Sequence, residues 1–252
     1  MEETKILIVD DERALVELLT DIFATKFKVF VSFDGDTALK ILREENIGLI
    51  ISDVLMPGID GLELCAMIKT TVELSHIPVV LLTAKSDLED KIAGLQNGAD
   101  VYIEKPFSPA YLEAQVLSLL QNRFRLREHF ARQPFVGITS LAFTKTDERF
   151  LTALQELIEE HIADPFLDIE YLAARLHMSR TTLYRKINEL SDLTPAEIID
   201  LARLNKAAAL IREGQYQMSE IAMMTGYSSP SQFSKNFKRR FGKTPLAYSR
   251  GY

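Results

Sequence analysis

Apolar residues along the first 120 positions follow two alternating rhythms. Short, nearly continuous apolar runs occupy residues 5–9 (Lys5-Ile-Leu-Ile-Val9), 49–51 and 79–82. A strand covered by helices on both faces has this character, because neither face meets water. Two runs, 28–32 and 101–103, carry the same signal more weakly. Between the runs, apolar residues spaced three and four apart predict helices near 13–25, 35–45, 61–74, 88–97 and 108–120. Ser108 before Pro109 marks a helix start, a capping hydroxyl followed by a residue whose missing N–H is no loss in the first turn. Five strands alternating with five helices predict a doubly wound five-stranded parallel α/β sheet. Ligands of such sheets bind beyond the carboxyl ends of the strands, where strand order reverses.

From residue 121 the rhythm changes. Residues 121–128 extend the last helix, Gln133-Pro134 ends it, and 135–145 read as an irregular connector. Thr146 followed by Asp147-Glu148 reads as a new helix start, with acids at the positive end of the helix dipole. A stripe of Phe150, Leu154, Leu157 and Ile158 carries that helix to about Ala163. An internal repeat begins at Asp168: helix, tight turn, helix. Leu172-Ala173 return as Ile221-Ala222 after 49 residues, and Leu183 and Ile187 as Phe233 and Phe237 after 50. Thr194-Pro195 and Thr244-Pro245 are also 50 apart, each a Thr cap before Pro, and Thr194 with Glu197 completes a capping box. The helix from Pro195 runs to Arg212 and stops at Gly214. His177 occupies the turn position that Gly226 holds in the second copy, one that calls for positive φ. These patterns divide the chain into an α/β domain at 1–122, a linker at 123–146 and an all-α domain at 147–252, with repeated units at about 168–190 and 218–241.

Composition narrows the class. Of 252 residues, 47% are hydrophobic and 26% charged, with 11 Gly and 9 Pro, which excludes fibrous and wholly disordered chains. The longest apolar stretches, such as residues 77–82, fall short of a bilayer span, so no membrane contact is expected. A single cysteine, Cys65, permits no internal disulfide, and the acidic start Met1-Glu-Glu3 is no secretory leader; a reducing, cytoplasmic setting is the expectation. Cys65 reads as a small buried residue rather than a nucleophile. The net charge of −7 conceals a split: residues 1–120 carry 10 basic and 21 acidic groups, whereas 168–252 carry 13 and 8. A polyanion partner therefore belongs to the second half.

The predicted strand ends carry chemistry. Asp10-Asp11 follow the first strand, Asp53 the third, Thr83 the fourth and Lys105-Pro106 the fifth. Three carboxylates in one crevice repel, and a hard cation such as Mg²⁺ relieves them while keeping room for water and phosphate oxygens. A hydroxyl and an ammonium suit the remaining oxygens of a phosphoryl group, and one carboxylate can be the nucleophile of an acyl phosphate. Residues 6–12, 52–61, 82–84 and 102–107 together resemble response-regulator receiver domains in order and spacing, over about residues 3–122. The resemblance implies a flavodoxin-like fold with Asp53 as phosphoacceptor. It implies Mg²⁺ held by Asp10, Asp11, Asp53 and the backbone carbonyl of Leu55. Lys105 and Thr83 would bind the phosphoryl group, Tyr102 would be the aromatic switch, and the Lys105–Pro106 bond would be cis. A phosphohydrolase with an aspartyl nucleophile is the rival class; it usually needs a second acid two residues on, where this chain has Leu55. Asp34 and Asp36 read as helix caps.

The repeated unit suits DNA. Small Ala173 and Ala222 let two helices cross closely, while Leu183 and Ile187, or Phe233 and Phe237, hold the second helix from behind. That leaves Thr181, Tyr184, Arg185 and Asn188 facing outward in one unit and Ser231, Ser234, Lys235 and Lys238 in the other. Residues 168–250 resemble the AraC-type double helix-turn-helix domain, through 203–207, Ile221-Ala222, Gly226-Tyr227, Gln232-Phe233, Phe237-Lys238, Phe241-Gly242 and Thr244-Pro245. The resemblance implies base contacts from Arg180, Thr181, Tyr184, Arg185, Ser231, Gln232 and Lys235, and phosphate contacts from Arg239, Arg240 and Lys243. The arginines at 123, 125, 127 and 132 are candidates for DNA, for solvent or for the acidic first half. Together the resemblances imply a two-component response regulator, not itself an enzyme. Its partners would be a histidine kinase or phosphotransfer protein, double-stranded DNA and, as further candidates, RNA polymerase and a second phosphorylated copy. The alternative is the C-terminal cytoplasmic portion of a hybrid sensor histidine kinase with the same two domains.

Overall fold

The computed structural model describes residues 4–84, 98–132 and 137–250, and the chain forms two compact units, Met1–Arg125 and Leu126–Tyr252. The first contains β1 (Lys5–Val9), α1 (Arg13–Phe23), β2 (Lys28–Ser32), α2 (Gly35–Glu44), β3 (Leu49–Asp53), α3 (Gly61–Thr70), β4 (Val79–Ala84) and β5 (Val101–Lys105). Helix α4 (Pro109–Arg132) starts in this unit. The helix expected at 88–97 lies outside the described residues.

The five strands are parallel, in the order β2-β1-β3-β4-β5. Alternation along the central strands builds a core on each face. Leu7, Val9, Ile50 and Leu81 pack with α2 and α3 residues such as Leu42, Leu64 and Ile68. Ile6, Ile8, Ile51 and Val80 pack with Leu19 and Phe23 of α1 and Leu112 and Val116 of α4. The reversal of order falls beside β1, so the loops after β1 and β3 flank the crevice such sheets use for ligands.

The second unit is helical among its described residues: a short turn at Ile138–Leu141, α5 (Lys145–Glu160), α6 (Ile169–Arg175), α7 (Arg180–Ser191), α8 (Pro195–Glu213), α9 (Met218–Met224), α10 (Pro230–Phe241) and α11 (Pro245–Ser249). Helix α5 starts two residues earlier than its acids suggest. Thr144, not Thr146, is the cap, accepting a hydrogen bond from the Asp147 N–H at 3.0 Å. The Asp147 carboxylate then turns inward rather than serving the dipole from the surface. In the stretch expected as a linker, α4 continues to Arg132, and Phe130 and Leu141 are buried.

The two repeats close their turns identically. Met178 N–H returns to Ala173 O and Tyr227 N–H to Ala222 O, both at 2.9 Å, with His177 N–H on Ala174 O and Gly226 N–H on Met223 O inside them. This is the six-to-one, five-to-two pattern of a left-handed helix terminus. His177 (φ 55°) and Gly226 (φ 74°) occupy the left-handed position. At Gly226 a Cβ would stand 2.5 Å from Ile162 O, so glycine is required there by space as well as by φ. Behind the second unit, Ile221, Ala222, Phe233 and Phe237 pack on Leu204, Ala207 and Ile211 of α8. The Thr194–Glu197 capping box opens α8, and Gly214 closes it at φ 70°.

Candidate functional site

In the first unit, β1 and β3 end side by side and deliver their acids to one place. One ligand oxygen each from Asp10, Asp11 and Asp53 lies within 4.8 Å of the others. Asp10 is buried, Asp53 sits at the edge of burial and Asp11 is exposed. The backbone after Asp53 is fixed by a close approach: a Cβ on Gly61 would stand 2.0 Å from the Asp53 carbonyl, and the Gly61 N–H bonds Val54 O at 2.9 Å. The Asp60–Glu63 capping box ties down the rest of that loop at the start of α3.

Lys105 crosses from β5, with a cis bond to Pro106 behind it. Its Nζ lies 2.7 Å from Asp53 Oδ1 and 3.2 Å from Asp10 Oδ2. The Glu12 N–H supports Asp10 Oδ1 at 2.8 Å. Burial raises the Asp10 pKa above the ordinary aspartate range, and the charge of Asp53 adds to that against the hydrogen bond from Glu12 and the pull of Lys105. Burial alone would lower the Lys105 pKa, but its bond to Asp53 and the charges of Asp10 and Asp53 outweigh this and raise it. Lys105 is thus a firm ammonium paired with two of the three carboxylates. One cation against three anions leaves a surplus that an oxygen-seeking divalent ion would neutralise, and the all-carboxylate donor set suits Mg²⁺.

The remaining predicted residues of this site come from β4, β5 and the loop after β3. Thr83 is buried near the end of β4, its hydroxyl donating to Ala84 O at 3.2 Å, and Ala84 pairs in register with Lys105. Tyr102 is half-buried on β5 and packs against the core rather than joining the acids. Leu55 is 67% exposed, two residues past Asp53. Asp34 caps α2 through the Thr37 N–H, and Cys65 is buried with its thiol pushed up to about 11 by burial, as inert as expected. Arg123 pairs with Asp100 at 3.1 Å inside the first unit, and Arg127 with Asp192 at 2.9 Å inside the second.

In the second unit, Arg180, Thr181, Tyr184, Ser231, Gln232, Lys235, Arg239 and Lys243 are exposed, and Arg185 and Arg240 are half-buried. Arg180 and Tyr184 from α7 share a cleft of about 750 Å³ with Gln232 and Asn236 from α10. Two polar groupings escaped sequence reasoning. Lys186, on the buried side of α7 between Leu183 and Ile187, pairs with Asp147 of α5 at 2.6 Å, both side chains fully buried. Asn236, beside Phe237 on α10, bonds Asp200 of α8. The signal for both was present: a polar residue on a helix's apolar stripe demands a buried partner. The partner's identity is set by tertiary packing, not spacing.

Residues 6–117 match the response regulator receiver domain family, and residues 172–251 match a helix-turn-helix domain family. Histidine kinase P4 of Formosa agariphila is 36% identical over 251 residues, which is 100% of this chain and 18% of that protein. The protein named "Probable transcriptional regulator ycf27" of Guillardia theta is 33% identical over 177 residues, 64% of this chain and 68% of that protein. A crystal structure of the receiver domain of a signal transduction histidine kinase from Syntrophus aciditrophicus is 39% identical, covering 47% of this chain and 91% of that one, with a TM-score of 0.46. The chain spans less than a fifth of the kinase's length.

Proposed function

The chain belongs to the response regulators, a receiver domain followed by an AraC-type helix-turn-helix domain, and on that premise we propose that it is a phosphorylation-controlled transcription factor of the cytoplasm. A histidine kinase or phosphotransfer protein supplies the phosphoryl group, and Asp53 receives it. The observation that carries this reading is the Lys105 ammonium, 2.7 Å from Asp53 and within reach of Asp10, beside the exposed Asp11. Asp53 Oδ1 is held by Lys105, and the second carboxylate oxygen is the one that attacks phosphorus. As the new P–O bond forms, the donor's bond to phosphorus breaks and its electrons leave with the donor. Lys105 then has an anionic phosphoryl oxygen to pair with in place of Asp53, and the Thr83 hydroxyl can leave Ala84 O to donate to another. Asp10, Asp11, Asp53 and the Leu55 carbonyl would hold Mg²⁺, which when bound supplies positive charge to the transferring phosphoryl oxygens. Tyr102 is assigned the aromatic switch.

Proton competition tests the metal assignment. Because the folded pKa of Asp10 is raised by burial, the metal-free protein loses stability as pH rises from the ordinary aspartate range through that raised value. Mg²⁺ relieves the penalty above it. The thermal stabilisation by Mg²⁺ is therefore largest near neutral pH and shrinks as pH falls and Asp10 takes up its proton. Melting temperatures with and without Mg²⁺ across pH, for the native chain and for Asp10→Asn, check this. A Mg²⁺ shift that survives in Asp10→Asn would contradict it.

In the output half, Arg180, Thr181, Tyr184 and Arg185 of α7, and Ser231, Gln232 and Lys235 of α10, read bases, while Arg239, Arg240 and Lys243 hold phosphates. Arg185→Ala or Lys235→Ala costs roughly 1–3 kcal/mol on a selected operator and relaxes preference at one position. The two positions lie about 10 base pairs apart. Lys243→Ala weakens all duplexes alike and reduces the salt slope by about one. Titrations on selected and scrambled duplexes at several salt concentrations decide between these outcomes. Equal losses on both duplexes for Arg185→Ala and Lys235→Ala would reverse the assignment of the reading faces.

A second reading has its own support: the whole chain aligns with part of a histidine kinase. In that case the same two domains are the C-terminal portion of a hybrid sensor kinase, and the donor is attached. The reading frame upstream of the Met1 codon, and the size of the native product on an immunoblot, separate the two.

A further inference from the structure

A glutamine offers DNA either a donor or an acceptor, depending on which way its amide is turned. On α10 that choice is made by residues behind it. Asp200 of α8 has acceptors only. It takes the Asn236 Nδ2 amine at 3.1 and 3.3 Å and the Tyr227 hydroxyl, with the Arg239 guanidinium at 3.6 Å. Burial and Asp200 both push the Tyr227 phenol up, so it stays a donor near neutral pH. Asn236 is buried, and turning its oxygen toward Asp200 would set acceptor against acceptor out of water. Its Oδ1 therefore faces the other way, where it accepts from Gln232 Nε2 at 2.8 Å. Gln232 is exposed, one turn before Asn236, on the cleft shared with Tyr184 and Arg180. One amine hydrogen is committed, which fixes Oε1 as the acceptor presented to a ligand, with the second amine hydrogen beside it.

We propose that Asp200 and Asn236 are positioning residues that fix the hydrogen-bonding polarity of Gln232, so that α10 reads a base presenting an exocyclic amine in the major groove. That base is adenine or cytosine; guanine and thymine present O6 and O4 acceptors instead. Adenine gains further, because the second Gln232 amine hydrogen can reach its N7. This rests on the reading of α10 as a DNA-reading helix. The first unit has no such relay: the positions matching Gln232 and Asn236 are Thr182 and Lys186, and Lys186 is turned to Asp147. The preference is thus confined to one half of the operator.

The test is selection from random duplexes followed by binding titrations with the full chain, Gln232→Ala and Asp200→Asn. The native chain favours A or C over G or T by roughly fivefold or more at one position, and Gln232→Ala loses that preference. Asn at 200 can accept from Tyr227 and donate to Asn236, which frees Asn236 and then Gln232 to turn over. In Asp200→Asn the preference disappears or crosses to G or T. Preferences read by α7 stay unchanged, and affinity for a scrambled duplex holds or rises, since Arg239 loses its acidic partner. A merely structural role for Asp200 would instead lower all binding together. The proposal is overturned if the native chain prefers G or T at the Gln232-dependent position, if Gln232→Ala alters no preference, or if Asp200→Asn leaves the preference intact. Should Asp200→Asn not fold, the native preference decides alone: A or C supports the relay, G or T overturns it. A native chain that binds no duplex removes the DNA-reading assignment itself, a result distinct from a wrong preference on a bound one.

Discussion

Asp53→Asn abolishes phosphoryl incorporation. With Mg²⁺ and a small phosphodonor such as acetyl phosphate, the native chain gains one phosphoryl group and the variant stays at background, as intact-protein mass reads directly. The amide is nearly isosteric and keeps an oxygen for Lys105, so the local fold around the 2.7 Å contact survives. What is lost is the anionic nucleophile and with it the acyl phosphate. Asp10 cannot substitute: it is buried, its Oδ1 is held by the Glu12 N–H, and its pKa is raised, first by burial. Persistent labelling of Asp53→Asn at the native extent would mean that another residue is the acceptor.

Lys186→Met destabilises the second unit by about 3–5 kcal/mol, because it strands the Asp147 carboxylate without its cation in a fully buried site. Asp147→Leu does the same from the other side. The double replacement is close to neutral, since two apolar side chains of similar volume remove both desolvation penalties together. Urea denaturation of the four proteins measures the cycle. The stake is functional as well, for Lys186 lies on α7 between Leu183 and Ile187, and Asp147 is one of the groups holding that helix against α5. Single variants within 1 kcal/mol of the native chain would show that water reaches the pair.

The receiver half was the more legible because parallel strands buried on both faces write nearly unbroken apolar runs. β1 is read to the residue. The weak runs at 28–32 and 101–103 proved to be β2 and β5, the edge strands, whose half-exposed residues dilute the signal. β3 and β4 extend beyond their apolar runs through buried polar residues, Ser52 and Asp53 in β3 and Thr83 in β4, which the apolar signal does not mark. The convergence of Asp10, Asp53 and Lys105 followed from placing acids and a lysine at strand ends. In the helical half, the caps at Thr194, Gly214 and Thr244 were legible because capping is local. Thr144 was missed in favour of Thr146 because Asp147 and Glu148 suit either start by sequence. The start at Thr144 goes with the inward turn of Asp147 to Lys186, 39 residues away, a contact that local spacing does not show. The Asp200–Asn236–Gln232 relay was invisible for the same reason, since Asp200 and Asn236 are 36 residues apart.

The affinity of the full chain for a selected operator, measured with Mg²⁺ before and after phosphoryl loading, tests the central claim most directly. Loading changes the affinity of the native chain by about 5–150-fold, the usual range for coupling between two sites. Lys105→Ala and Thr83→Ala still accept the phosphoryl group but lose most of that change, because the group lacks the ammonium or the hydroxyl through which it is sensed. Loaded and unloaded native chain binding the operator equally well would contradict the account.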